Sequence, residues 1–508
     1  MEYKVLDKAI PVRRVLFDDF VECPVDYEFV LPDYLADIAA ILKCSLTPTV
    51  QTRQISGDRL QVDGTVSVHV LYLDESRKCA RACAFDQPFN CHFTVKELPV
   101  GATIELDART NYVNCRATGP RKLSLHGAFS VKCRIAAADG VSVVGEIAQD
   151  GWYANRCKVH YAVPAASAEK TFTVSEITEI GAGKPTMQAL VRTHAAPAVT
   201  DCKLIQGKAI VKGYLLIHTL YAADAELGQM CTAEHHLPFS QLIDVDGLTE
   251  DWQCTCAVQV LSCDVHITAN QNGENRLLDI NVRLSVNLAC TKSGEEDAVC
   301  DAYATGYPLS VEYAHVQTEK LCGIEQGTST IRQTMEMPGD KDCEVVDMWC
   351  EIASVTDRCE EESCAVDGRL TLCMLAKDAA GTLAYYERPW EFTLPFDGAA
   401  AEQHTDVCVC RLDYTQTGAQ IELRAELGVC RRLFNTEHHR LVTSVAADEN
   451  AVFTPDAAAL KIYYAAKGES VWDIAKRYHT SPNAVAAENT LAADPLPEDT
   501  MLLIPLCE

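Results

Sequence analysis

The sequence lacks the features that mark several large classes of protein. It has no apolar run approaching the roughly 18 residues of a membrane-spanning helix. No basic run is longer than two residues, as in Arg431-Arg432, and 72 acidic against 44 basic residues give a net charge of −28. The negative electrostatic field of such a chain repels polyanions, so we expect neither nucleic acid nor anionic lipid as a partner.

Short motifs of the common enzyme classes are also missing. The sequence has no Walker A motif, no G-x-S-x-G, no HExxH and no G-x-G-x-x-G. Two pairs of adjacent histidines occur, His235-His236 and His438-His439, but neighbours on a strand point to opposite faces and cannot share a metal ion. We therefore expect no enzyme activity, no catalytic residue, no metal site and no cofactor.

Cysteine is abundant, yet the usual cysteine motifs are not there. None of the 25 cysteines forms a CxxC pair, although Cys254-x-Cys256 and Cys408-x-Cys410 occur. Charged residues interrupt the first 20 residues, so we expect no secretory signal and a start in the cytoplasm. In a reducing compartment most cysteines behave as small buried hydrophobic residues, which is the interpretation we favour. A store of thiols for later oxidative cross-linking is the alternative.

What the sequence does contain is one unit in three copies. Each copy has a glycine, Gly64, Gly213 or Gly368, inside an alternating strand pattern. A proline–aromatic pair follows each glycine, namely Pro88-Phe89, Pro238-Phe239 and Pro389-Trp390. Each copy then has a second alternating segment that ends in valine: 121–131, 276–286 and 419–429. Landmarks in the same order indicate a tandem repeat.

The alternation predicts the fold class. Apolar residues at every second position indicate antiparallel strands with one buried face, and turn signals such as Gln271-Asn272-Gly273 precede the second landmark. We predict a mainly β protein with three tandem antiparallel β-sandwich-like repeats over residues 1–160, 161–315 and 316–455, followed by a small βααβ domain over 456–508. Helical spacing predicts one helix over Asp33–Lys43, and the segments 151–184 and 301–339 read as ordered connectors.

The C-terminal segment has a different pattern. Ser470 and Asp473 form a capping box ahead of a helical stripe, Ser481-Pro482 starts a second helix that ends near Asn489, and Leu502-Leu503-Ile504-Pro505 predicts a closing strand. The segment resembles a LysM domain at ten positions: Tyr463, Gly468, Ile474, Ala475, Tyr478, Asn489, Leu496, Leu502, Ile504 and Pro505. Ala465 and Asp499 depart from the family pattern, which has Val and Gly there.

That resemblance implies a binding groove. LysM domains typically bind N-acetylglucosamine-containing glycans between the loop after strand one and the loop before strand two. Here the groove would be formed by Gly468, Glu469, Ser470, Val471, Trp472, Asn489, Leu491 and Leu496. Acidic residues on its second side suit a protein of complementary charge as well as a sugar. Trp472 has two interpretations, a side chain packed on the fold or an exposed anchor for a partner.

The three repeats, with Leu31-Pro32-Asp33-Tyr34 leading the first, resemble the SPOCS or DUF3794-like domain of spore-forming Firmicutes. Three such repeats before a LysM domain resemble the SipL-type spore-coat morphogenetic proteins of clostridia. This resemblance implies a non-enzymatic scaffold in the mother-cell cytoplasm at the forespore surface, whose LysM domain binds the coat ATPase SpoIVA and which meets other coat proteins. Two alternatives stay open: a peptidoglycan-binding protein of the wall or cortex, and a coat subunit that self-assembles through edge strands.

Overall fold

A computed structural model describes residues 4–96, 98–99, 101–338, 343–360, 363–397, 400–448, 450–454 and 460–505. Strands dominate these residues, and two short helices lie near the C-terminus. The mainly β fold class predicted from the sequence is confirmed.

Three β-sandwiches follow one another along the chain, each built from two three-stranded antiparallel sheets. The first contains β1 (Val5–Val30), β2 (Ala40–Ser56), β3 (Arg59–Leu73), β4 (Ala80–Thr94), β5 (Thr103–Gly119) and β6 (Lys122–Ile147). Its sheets have the strand orders β2-β3-β4 and β1-β6-β5. The outer strand β2 lies over β5, and β4 lies over β1.

The second and third sandwiches repeat this arrangement. The second contains β7 (Trp152–Glu179), β8 (Ala189–Ile205), β9 (Lys208–Asp224), β10 (Gln229–Asp244), β11 (Gln253–Ala269) and β12 (Asn275–Ala304). The third contains β13 (Leu309–Glu336), β14 (Glu344–Cys359), β15 (Ser363–Lys377), β16 (Leu383–Asp397), β17 (Glu402–Thr417) and β18 (Gln420–Ala447). The sheets are β8-β9-β10 with β7-β12-β11, and β14-β15-β16 with β13-β18-β17.

The C-terminal domain is the predicted βααβ unit. It contains β19 (Leu460–Ala465), α1 (Val471–Arg477), α2 (Pro482–Glu488) and β20 (Thr500–Pro505), with β19 and β20 antiparallel.

The period-two pattern determines which side chains each sandwich buries. Val66, Val68 and Val70 on β3 are buried, and the residues between them face the other side of the sheet. The repeated glycine has a packing role that all three sandwiches share. A Cβ on Gly64, Gly213 or Gly368 would overlap an aromatic ring on the neighbouring strand. Glycine is therefore needed because the ring lies directly on the backbone.

The aromatic ring opposite the third glycine belongs to a different residue from the one that the sequence suggests. Phe89 and Phe239 pair with Gly64 and Gly213, as the proline–aromatic landmark suggests. Gly368, however, pairs with Phe392, while Trp390 pairs with Leu370. The landmark Pro389-Trp390 is thus displaced by two residues from its counterparts. A two-residue shift keeps both side chains on the same face of the strand, so the alternation pattern could not reveal it.

The helix predicted over Asp33–Lys43 is wrong. Residues 33–35 form a turn, and strand β2 begins at Ala40. The carbonyl groups of Pro32 and Leu35 accept hydrogen bonds from the Arg121 guanidinium at 2.6 and 3.0 Å, and that of Ala36 accepts one from the Tyr72 hydroxyl at 2.9 Å. Side chains thus bind carbonyls that a helix would use internally, and tertiary contacts override helical spacing.

The segments that we predicted to be ordered connectors are strands. Most of residues 151–184 form β7, and most of 301–339 form β13. These long strands reach beyond their own sandwiches and meet in a core shared by all three, made of Ile10, Val143, Val159, Ala298, Val316 and Leu441. A second shared core joins the ends of β3, β9 and β15 through Leu71, Leu73, Leu220, Ala222, Cys373 and Leu375. The sandwiches therefore pack as one body.

Charged residues at equivalent positions link the sandwiches beside the second shared core. Lys43, Arg192 and Asp347 each follow a bulge in the first strand of their sheet. Lys43 contacts Glu351 at 3.0 Å, and Asp347, which is buried, accepts from His218 at 2.8 Å. The third sandwich thus supplies carboxylates to cations of the other two.

Candidate functional site

The C-terminal domain has a small core under two capped helices. The core contains Val471, Ile474, Ala475, Val485, Leu496, Leu502 and Ile504. The Ser470 hydroxyl accepts from the Asp473 backbone N–H at 3.1 Å, as predicted, but the Asp473 carboxylate accepts from that hydroxyl rather than from the Ser470 backbone. Ser481 caps α2 by accepting from the Ala484 N–H, as predicted.

The two loops predicted to form the groove are tied to each other through their main chains. The Gly468 N–H donates to the Leu496 carbonyl at 2.8 Å, and the Leu496 N–H donates to the Glu469 carbonyl at 3.0 Å. The Asp494 carboxylate accepts from the Val471 N–H at 2.9 Å. Gly468 has a φ of +87°, which glycine adopts without strain. The groove walls are therefore fixed before any ligand binds.

The predicted groove residues divide into supporting and accessible ones. Val471 and Leu496 are buried in the core, and Leu491 packs against it. The Asn489 amide donates to the carbonyls of Val485 and Leu503 and accepts from the Leu503 N–H, so its polar atoms hold β20. These residues shape the groove rather than line it.

Glu469 is held from three directions. Its carboxylate accepts from the Tyr463 hydroxyl at 2.7 Å, from the Ala466 N–H at 3.0 Å and from Arg477 at 3.2 Å. The bonds from Tyr463 and Ala466 hold the pKa of Glu469 below its usual range. The carboxylate is thus ionised and occupied by its own domain.

The accessible surface of the groove is small and acidic. Ala492, Ala493, Asp494, Glu498 and Asp499 are exposed. Asp499 accepts from the Lys467 N–H at 2.8 Å, as Asp494 does from Val471. The rim suits a ligand that donates hydrogen bonds or carries positive charge.

Trp472 turns away from the groove and contacts the second sandwich. Its indole Nε1–H donates to Asp301 Oδ2 at 2.9 Å, and its ring meets the Tyr303 ring edge-on at 5.0 Å. Lys476 donates to both oxygens of Asp301 at 2.7 Å. Helix α1 is therefore bound to the end of β12, which fixes the LysM-like domain on the body of the protein.

Asp301 is ionised at this contact. Burial raises the pKa of Asp301, but hydrogen bonds from Lys476, Trp472 and Tyr313 outweigh burial and hold the pKa below its usual range. Sequence reasoning missed Asp301 and Tyr303 because nothing in the local pattern of β12 distinguishes them.

The outer face of the β19–β20 sheet is apolar and exposed. Ile462, Tyr464 and Met501 are 61%, 76% and 54% exposed, and Tyr464 lies directly opposite Met501. The next pair along the strands is Ala465 and Thr500, from which the two groove loops continue. The apolar face and the groove therefore adjoin. Alternation in β19 could have revealed this face, since Tyr463 and Ala465 point inward between these residues.

No group of three or more His, Cys, Asp and Glu side chains arranged to hold a metal ion occurs in the part of the chain that the structure describes. His235 and His236 lie on β10, and His438 and His439 lie on β18. Within the same residues, no helix has the length and apolar character needed to span a membrane.

The comparisons with known proteins match three segments of the chain to two family models. Residues 37–118 and 186–268 match the family model described as SipL, SPOCS domain, and residues 463–505 match the LysM domain. A search of the curated proteins and a search of the solved structures gave no match.

The chain therefore carries two SPOCS domains, one within each of the first two sandwiches, and a C-terminal LysM domain. The third sandwich has the same strand order outside the matched segments. Both families are non-catalytic, and together they indicate a sporulation protein with a glycan-binding type of module.

Proposed function

We propose that this protein is a non-enzymatic scaffold for spore-coat assembly, and that its LysM domain binds another protein, the coat ATPase SpoIVA. The apolar outer face formed by Ile462, Tyr464 and Met501 carries the proposal. A contiguous exposed apolar patch outside the groove favours a protein partner, because patches of this kind mark protein–protein contacts. The acidic groove beside it adds a rim of hydrogen-bond acceptors for the same partner.

The attachment of the LysM domain supports a scaffold. Trp472 and Lys476 bind Asp301 on β12, while the groove and the apolar face stay exposed on other sides of the domain. A binding surface held rigidly on a larger body loses less orientational freedom on association than a tethered one. We place the protein in the mother-cell cytoplasm at the forespore surface, where coat assembly occurs.

Retention of purified SpoIVA by the immobilised full-length protein tests the proposal. We expect Tyr464→Asp combined with Met501→Asp to weaken retention by about tenfold or more, because a charge in an apolar interface is not solvated. Leu227→Asp is the matched control, since Leu227 is 75% exposed on the second sandwich. Equal retention of all three proteins would contradict the proposal.

Trp472 and Ser470 are unsuitable positions for this test. Trp472 packs on β12 and Ser470 caps α1, so a charged residue at either would disturb the domain itself. A groove variant at the exposed Ala493, Ala493→Arg, changes the acidic wall without touching the core. We expect it to weaken SpoIVA binding less than the double change on the apolar face.

Peptidoglycan binding is the second candidate function, and the LysM match favours it. Pelleting of the full-length protein with intact sacculi measures it directly. Three results together would show that the domain binds glycan. Sacculi would retain the native protein, Ala493→Arg would abolish that retention, and SpoIVA would not bind. Co-purification from sporulating cells, with and without residues 455–508, then identifies the partner in the cell.

A further inference from the structure

Several of the cysteines are arranged in pairs. One pair, Cys254 on β11 and Cys290 on β12, forms a disulfide between directly opposed residues of neighbouring strands. The other described cysteines are thiols, of which Cys322 and Cys408 are exposed and the rest are buried or half-buried. Cys507 lies outside the described residues. Several of these thiols face a second thiol.

Two pairs lie at opposite edges of the first sandwich. Cys44 on β2 lies close to Cys115 on β5, and Cys23 on β1 lies close to Cys91 on β4, in strands that pack on each other. Strands β2, β4, β1 and β5 are the outer strands of the two sheets. Each pair therefore joins one sheet to the other, one at each open edge.

The other two sandwiches each contain a comparable pair. Cys202 on β8 lies close to Cys256 on β11, where the two sheets of the second sandwich pack at the edge equivalent to β2 and β5. In the third sandwich, Cys359 and Cys364 are directly opposed on β14 and β15, with sulfur atoms 3.3 Å apart. They have the same cross-strand arrangement as Cys254 and Cys290.

In each of the three pairs between sheets, one thiol is suited to attack a small-molecule disulfide, and the other is suited to displace the small thiol from the resulting mixed disulfide. Cys23, Cys115 and Cys202 are half-buried, and the hydrogen bond from the partner thiol holds the pKa of each below its usual range. The same hydrogen bond, together with burial, raises the pKa of Cys91, Cys44 and Cys256. The thiolate is the nucleophile of disulfide exchange, so the thiol with the lowered pKa reacts first in each pair.

We infer that four pairs are disulfide-forming sites that fasten the three sandwiches when the protein meets a small-molecule disulfide: Cys23–Cys91, Cys44–Cys115, Cys202–Cys256 and Cys359–Cys364. One protein thiolate attacks the small disulfide, forms a mixed disulfide and releases one small thiolate. The second protein thiolate then attacks the protein sulfur, and the second small thiolate leaves. Two protein thiols are oxidised by two electrons, and one small disulfide is reduced to two thiols. The bonds stay within the chain.

Disulfide mapping of the full-length protein tests this inference. The reduced protein is incubated with oxidised glutathione, digested without reductant and analysed by mass spectrometry. We expect four new bridging peptides in addition to Cys254–Cys290, and glutathione adducts on the exposed Cys322 and Cys408. The urea midpoint should rise on oxidation and fall again with dithiothreitol, because each bond between sheets restricts the unfolded chain.

Two variants separate the pairing from general thiol reactivity. Cys115→Ser should remove only the Cys44–Cys115 bridge and leave the other three, whereas Cys322→Ser should remove only the adduct at position 322. The inference is overturned if the pairs stay reduced while Cys322 reacts, or if bridges join cysteines of different pairs. Mapping of the unmodified protein decides the question even if Cys115→Ser fails to fold.

Discussion

The first two sandwiches and the third have the same strand order but differ in two side chains that, in the first two, bind the loop after the first strand. In the first, Tyr72 and Arg121 bind the carbonyl groups of that loop. In the second, Tyr221 donates to Pro185, and Arg276 donates to Gly181 and Lys184. The equivalent positions in the third sandwich are Ala376 and Ala419.

This difference shows which sequence features all three sandwiches share and which features the third sandwich lacks. The glycine with an aromatic ring against it recurs in all three sandwiches, as does the alternation of buried residues. The tyrosine and arginine bonds to the loop do not recur. The strand frame therefore depends on the first two features, and the loop bonds are an addition of the two sandwiches that match the SPOCS family model. Four predictions test this comparison.

The largest expected effect is at the repeated glycines. A Cβ on Gly213 would overlap the Ala198 carbonyl oxygen as well as the Phe239 ring, whereas the three atoms nearest to a Cβ on Gly368 all belong to the Phe392 ring. A ring moves more easily than a strand backbone. We expect Gly213→Ala to lower the free energy of unfolding by about 3 kcal/mol and Gly368→Ala by about 1 kcal/mol in urea titrations. Equal losses would show that the backbone adapts in both sandwiches.

Removing the arginine that binds the loop should come next. The Arg276 side chain is 13% exposed and donates to the loop carbonyls. Arg276→Ala should lower the free energy of unfolding by about 2 kcal/mol, because the charged hydrogen bonds that hold the loop are lost. Arg369→Ala, at an exposed position of the third sandwich, is the control and should change stability by less than about 0.5 kcal/mol. A similar loss in both variants would remove the distinction between the sandwiches.

The third prediction concerns pH and the contact between the second and third sandwiches. Burial lowers the pKa of His218, but hydrogen bonds to Asp347 and Glu234 outweigh it and raise the pKa to about 9. A raised folded-state pKa gives stability that is complete below the ordinary value of about 6.5 and disappears as the pH rises through 9. As the pH rises from 6.5 to 9, the free energy of unfolding of the native protein should fall by on the order of 2 kcal/mol more than that of His218→Gln.

Urea titrations at several pH values measure this difference. His69, exposed at the equivalent position of the first sandwich, provides the control His69→Gln, which should keep the native pH dependence. If His218→Gln and the native protein lose stability in parallel from pH 6.5 to 9, the ion pair with Asp347 does not hold the sandwiches together.

The smallest effect should come from the tyrosine hydroxyl groups. Tyr72→Phe and Tyr221→Phe each remove one hydrogen bond to a loop carbonyl and keep the buried ring. We expect each to cost about 1 kcal/mol of unfolding free energy. Tyr34→Phe, at a residue 84% exposed, should be neutral. Faster hydrogen exchange of the loop amides would show that the loop is the region that loses stability. If the exchange rates of those amides do not change, the hydroxyl groups do not stabilise the loop.

Sequence patterns predicted the strands and the two C-terminal helices because their causes are local. Alternation, turn residues and helix caps each act within a few residues. The helix over Asp33–Lys43 failed because Arg121, remote in sequence, binds its carbonyls. A signal for that contact was present, since both Arg121 and Arg276 open the second landmark of their repeats. The predicted groove residues remain a prediction, although the structure assigns Asn489, Val471 and Leu496 to support.

By itself, the amino-acid sequence determined the three repeats, their strand faces and the LysM-like end, because periodicity and capping are short-range properties. Only the tertiary structure decided that Trp472 faces Asp301 instead of a partner, that thiols of different sheets meet, and that three sandwiches share two cores. Those contacts join residues far apart in the chain, and their partners are set by how sheets pack in space.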